Sequence, residues 1–139
     1  MKKARALLWS YPLVNKSILI VEDEISIRRQ MAAALTMEGY AVHLAANGRE
    51  ALDLLLGLTP TQLPGCIILD LMMPVMDGVQ FLETLDRQHQ TQLGHIPIVV
   101  ATARSSGVPM PVTRAQQTLR KPFELDHLYA VVAQFCGTP

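Results

Sequence analysis

The chain has 139 residues, half of them apolar and 17% charged, with twelve basic side chains set against twelve acidic ones. That is enough chain for one domain with a two- or three-layer core, and the composition is that of a compact globule, not a disordered segment. Zero net charge excludes a broad electrostatic footprint for nucleic acid or membrane, and no apolar run approaches the ~20 residues of a membrane span.

At the start, Met1-Lys2-Lys3 followed by Ala6-Leu7-Leu8-Trp9 has the charge order of a secretory signal. The apolar part is short, Tyr11-Pro12 interrupts it, and no small-residue cleavage site follows. Residues 1–16 therefore read as a loosely held extension, and 17–139 as the domain.

Strand and helix patterns then alternate. Ser17–Val21 is the first predicted strand. Ile27, Met31, Ala34 and Leu35 recur at helical spacing, with Gly39 as a left-handed stop. Ala41–Ala45 is a second, weaker strand, and Asn47 caps a helix that carries Ala51, Leu52 and Leu55 on one face. Residues 57–65, with Pro60 and Pro64, form a loop. Cys66-Ile67-Ile68-Leu69 is a strand buried on both faces that ends in Asp70, after which Pro74 and Gly78 enforce an irregular loop.

Asp77 reads as a turn or cap residue beside Gly78. The next helix turns Phe81, Leu82 and Leu85 inward, and 88–94 is a polar connector. Pro97 opens the fourth strand, which runs into Thr102. Gly107, Pro109 and Pro111 interrupt the place of a fourth helix, because proline inside a helix costs about 3 kcal/mol. A short segment leads to Lys121-Pro122, and a last helix aligns Leu125, Leu128, Val131, Val132 and Phe135 on one stripe.

This five-fold β/α alternation predicts a doubly wound, flavodoxin-like (βα)5 domain. Its parallel sheet has the order 2-1-3-4-5, with the fourth helix shortened or irregular. In such a sheet Glu22, Asp23, Asp70, Thr102 and Lys121 stand at successive strand ends, along the edge where open α/β sheets place their chemistry. Three carboxylates raise one another's pKa unless a cation intervenes, and their hard oxygens suit Mg2+ better than zinc. A lysine and a hydroxyl add what a transferring phosphoryl group needs. Cys66 and Cys136 fit no metal-ligand spacing, and Cys66 reads as a small core residue in a reducing compartment.

The motifs Ile-Leu-Ile-Val-Glu-Asp-Glu at 18–24, Asn-Gly-Arg-Glu-Ala-Leu at 47–52, Ile-Leu-Asp-Leu-Met-Met-Pro-Val-Met-Asp-Gly at 68–78, Ile-Pro-Ile-Val-Val-Ala-Thr-Ala at 96–103 and Arg-Lys-Pro-Phe at 120–123 occur in order. Together they make the chain resemble the receiver (response-regulator) domain of two-component phosphorelays over residues 17–135. The resemblance implies that Asp70 accepts a phosphoryl group from a sensor histidine kinase or a histidine phosphotransfer protein. It implies that Asp23, Asp70 and the Met72 backbone carbonyl bind Mg2+, with Glu22 helping through water. It further implies that Thr102 and Lys121 contact the phosphoryl group, and that the Lys121-Pro122 bond is cis.

Such a domain is cytoplasmic and signals by binding a downstream protein, without direct nucleic-acid contact or membrane insertion. It is an enzyme only in transferring and hydrolysing its own phosphoryl group.

Two departures stand out. Thr118 occupies the position, three before the lysine, where receivers commonly carry an aromatic switch residue, and the stretch from Thr102 to Lys121 is short and proline-broken. They point to the alternative of a constitutive interaction module that no longer switches. A phosphatase acting on small esters is disfavoured, since Met72 stands where its second acid belongs.

Overall fold

The computed structural model describes residues 16–73, 75–102 and 117–139, apart from the side chains of Gln90 and Thr102. Five strands, β1 (Ser17–Val21), β2 (Ala41–Ala45), β3 (Cys66–Asp70), β4 (Ile98–Thr102) and β5 (Gln117–Arg120), form one sheet in the order β2-β1-β3-β4-β5. Every neighbouring pair is parallel, as the alternation predicts. The helices are α1 (Ile25–Met37), α2 (Gly48–Leu56), α3 (Gly78–Gln88), α4 (Gln90–Leu93) and α5 (Leu125–Cys136). The expected irregularity of the fourth helix falls on 103–116 and the expected extension on 1–15, both outside the described residues.

The uniform apolar runs of β1 and β3 follow from cover on both faces: all five residues of each strand are buried. On one face Leu19, Val21, Ile67, Leu69, Ile98 and Val100 pack with α2 and α3 through Leu52, Leu55, Phe81 and Leu85. On the other, Ile18, Ile20, Ile68 and Val99 meet α1 and α5 through Met31, Leu35, Leu128 and Val132. Each large aliphatic side chain so buried contributes about 1.5–3 kcal/mol. β2 lies at the sheet edge and is partly exposed, hence its weaker pattern.

Caps set the helix limits. Asn47 Oδ1 accepts from Glu50 N–H at 2.9 Å, and Asp77 and Gln80 cap each other reciprocally at 2.9 and 3.0 Å. Gly39 ends α1 at φ 104°, in the left-handed region.

Three local expectations need correction. The connector at 88–94 contains the short helix α4, held by Leu93 N–H donating to His89 O at 2.8 Å. The loop at 57–65 contains a 3-10 turn, Pro60–Gln62, which Thr59 and Gln62 cap reciprocally. Leu125 is 48% exposed, not inward-facing: it opens α5, where it lines a groove with Ile27, Met31 and Phe123 instead of the core.

Candidate functional site

Strand register fixes the site. Val21 pairs with Leu69, Asp70 with Ala101, and Thr102 with Arg120. The residues that end or follow these strands, Glu22, Asp70, Thr102 and Lys121, therefore reach one edge of the sheet. Glu22 and Asp70 are buried and Asp23 is exposed. One carboxylate oxygen from each of the three lies within 4.8 Å of the others. Among the described residues no other group of three such side chains comes together.

Lys121 supplies the counter-charge. Its Nζ donates to Glu22 Oε1 and lies 3.6 Å from Asp70 Oδ2. Burial works against the charge of Lys121, but the Glu22 and Asp70 carboxylates outweigh it and hold the group above its ordinary range. Glu22 Oε2 accepts from the Glu24 N–H and Asp70 Oδ1 from the Met72 N–H, each at 3.2 Å. Burial, reinforced by the Glu22 charge, pushes the Asp70 carboxyl up to about 6, although the Met72 N–H and Lys121 pull the other way. The Lys121-Pro122 bond is cis, as the resemblance implies.

Two supporting residues escape a sequence reading. Arg28, on the first turns of α1, donates from Nη1 to Glu22 O at 2.8 Å and to Asp23 O at 3.4 Å, so it fastens the backbone of the acidic turn. Its only sequence signal is its place six residues after Glu22. Gly78 packs so closely that a Cβ there would stand 2.6 Å from Asp70 O and 2.7 Å from Leu71 Cα. Gly78 therefore lets α3 start against the end of β3, a role legible only as an Asp-Gly turn. Met72 is 65% exposed at the rim.

Three carboxylates against one ammonium leave excess negative charge, and the donors are all hard oxygens. The set fits a small divalent cation such as Mg2+.

A doubly wound parallel domain with this charge arrangement on its carboxyl edge belongs to the signalling class built around acidic phosphoryl pockets. The chain belongs to the response regulator receiver domain family, whose model matches residues 18–133. Receiver domains are the phosphorylation-controlled parts of two-component systems, and the family binds Mg2+ at its acidic pocket.

A curated relative, response regulator MprA of Mycolicibacterium vanbaalenii, is 38% identical over 116 residues. The match covers 81% of this chain and 47% of the relative, so the chain spans about half of that protein. The signal receiver domain of a signal transduction histidine kinase from Syntrophus aciditrophicus superimposes with a TM-score of 0.73 at 31% identity, covering 87% of this chain and 89% of that one. Response regulator TrrA of Thermotoga maritima, solved in complex with Mg2+-BeF, gives 0.72 at 28% identity, covering 86% and 98%.

Among the described residues no helix is long and apolar enough to cross a membrane.

Proposed function

We propose that residues 17–139 act as a phosphoacceptor domain in which Asp70 takes a phosphoryl group from a phosphohistidine. The donor is a sensor histidine kinase or a histidine phosphotransfer protein in the cytoplasm, and the output is binding to a downstream protein. Glu22, Asp23, Asp70 and the Met72 carbonyl would hold Mg2+, with Glu22 helping through water. When bound, Mg2+ offsets the carboxylate charge and neutralises a phosphoryl oxygen.

An Asp70 carboxylate oxygen attacks phosphorus as the P–N bond breaks, and the imidazole leaves with the bond's electron pair. Lys121, 3.6 Å from Asp70 Oδ2, is within reach of charge developing on the phosphoryl oxygens. The hydroxyl of Thr102 is the donor to a further oxygen. Arg28 keeps the acidic turn in place while charge redistributes. A donor protein must cover the surroundings of Lys121, and an apolar groove of about 350 Å3 between Ile27, Met31, Phe123 and Leu125 borders that residue.

One observation carries this reading: Asp70, closing a buried strand, faces both acidic neighbours and Lys121. Intact mass after incubation with acetyl phosphate tests it. The protein should gain one phosphoryl group with Mg2+ and far less without it, and Asp70→Asn should gain none. A phosphoryl group that persists in folded Asp70→Asn overturns the assignment.

A further inference from the structure

At the opposite, amino edge of the same sheet the structure brings together the only two cysteines of the chain. Cys66 is the first residue of β3 and Cys136 the last of α5. Both are fully buried, and their Sγ atoms lie 3.5 Å apart across a sequence separation of 70 residues. We propose that Cys66 and Cys136 form a site of reversible oxidation, closing an intramolecular disulfide when the protein meets a peroxide.

The surroundings fix the pair. The Tyr40 hydroxyl donates to Gly137 O at 2.6 Å, and Lys16 Nζ donates to Thr138 O at 2.6 Å. The end of α5 is thereby held against the starts of β2 and β1, and Cys136 Sγ also lies 3.9 Å from Ser17 O. A disulfide needs the sulfurs at about 2.05 Å, so from 3.5 Å they must close by roughly 1.5 Å. Beyond filling the core, two thiols in contact can react.

The pair is chemically unequal. Contact with the Cys66 thiol, helped by the charge of Lys16, lowers the Cys136 thiol against the opposing effect of burial. The same contact, together with burial, raises Cys66. Of the two sulfurs Cys136 is therefore the more readily ionised, and Cys66, 3.5 Å away, is placed to resolve the product.

In the first step the Cys136 thiolate attacks one peroxide oxygen, the O–O bond breaks and hydroxide leaves, giving a sulfenic acid. The Cys66 sulfur then attacks the sulfenic sulfur, and its proton departs with the hydroxyl as water. Two thiols and one hydrogen peroxide become one disulfide and two waters. Peroxide is small enough to enter through a local opening at the end of α5, which a bulky oxidant is not.

The test uses the full chain, reduced and then exposed to hydrogen peroxide under native conditions. Intact mass should fall by about 2 Da, the two hydrogens lost on closing a disulfide. Digestion should yield a peptide joining residues 66 and 136, and the unfolding temperature should rise, reversibly with dithiothreitol. In Cys66→Ser, with no resolving thiol, Cys136 should stop at the sulfenic acid, which dimedone should label once the oxidised protein is unfolded in denaturant. Oxygen adducts without the joined peptide, a disulfide between chains, or thiols that ignore peroxide while the protein stays folded each overturn the proposal. The wild-type mass and peptide map decide it even if Cys66→Ser fails to fold.

Discussion

The two edges of the central sheet use the same strands for opposite chemistry. β1 starts at Ser17 and runs into Glu22; β3 starts at Cys66 and ends at Asp70. Five residues of strand, about 16 Å at 3.3 Å each, separate a neutral cluster of Cys66, Cys136 and Tyr40 from a cluster of three carboxylates and a lysine. At the amino edge, contacts depend on shape and on hydrogen bonds to backbone carbonyls, given by Tyr40 and by the exposed Lys16, with no buried ion pair among the described residues. At the charged edge, two buried acids share one ammonium, so stability there depends on protons and cations. The fold concentrates its electrostatic stress where its function needs it.

The largest way to break that contrast is Lys121→Met. It leaves Glu22 and Asp70 buried without their counter-charge, and breaking a buried ion pair costs ~3–5 kcal/mol. Lys121 keeps 17% of its side chain exposed, so we expect the lower end, about 3 kcal/mol at pH 8. The cost should shrink at pH 5, where Asp70, already pushed up to about 6, carries a proton. Urea denaturation at both pH values measures it. An equal cost at both would show that the lysine contributes packing alone.

Asp70→Asn sharpens the contrast in the opposite direction. Because the folded state holds the Asp70 proton more tightly than the unfolded state does, this group favours folding below its ordinary value of 3.8. That advantage disappears as pH rises through about 6. At pH 7.5 without Mg2+, replacing the acid should stabilise the protein by on the order of 1–3 kcal/mol, at 1.36 kcal/mol per pKa unit. At pH 4 the gain should approach zero, and Mg2+ should narrow it by stabilising the wild type more than the variant. Unfolding curves at the two pH values, with and without Mg2+, check both the sign and the cation dependence.

These two substitutions also mark what the sequence makes legible. Ile67-Ile68-Leu69 reads as a strand because burial on both faces removes any alternation, and the carboxylate that closes it marks the edge where chemistry sits. Asn47 and Asp77 announce their caps because capping is a contact three residues long. The Glu22–Lys121 pair spans 99 residues and the thiol pair 70, and no local pattern encodes which side chains meet across several crossovers. α4 escapes for another reason: four residues, three of them polar, carry no periodicity. Leu125 fits the helical stripe, yet it lies in the first turn, beyond the strip of α5 that the sheet covers.

The smallest test belongs to the neutral edge. Tyr40 is 5% exposed, and its hydroxyl donates to Gly137 O at 2.6 Å. Tyr40→Phe keeps the ring and removes one neutral hydrogen bond, which leaves a backbone carbonyl at the end of α5 without that donor. The net loss for such a bond is about 1 kcal/mol. Burial raises the Tyr40 hydroxyl above its ordinary 10.0, so it stays protonated from pH 4 to pH 8 and the loss should be constant over that range. Mg2+ should not change it, because the cation cluster lies at the other end of the strands. A loss that varies with pH or with Mg2+ would mean that the two edges are coupled through β1 and β3, and the contrast between a neutral and a charged edge would then be one of degree.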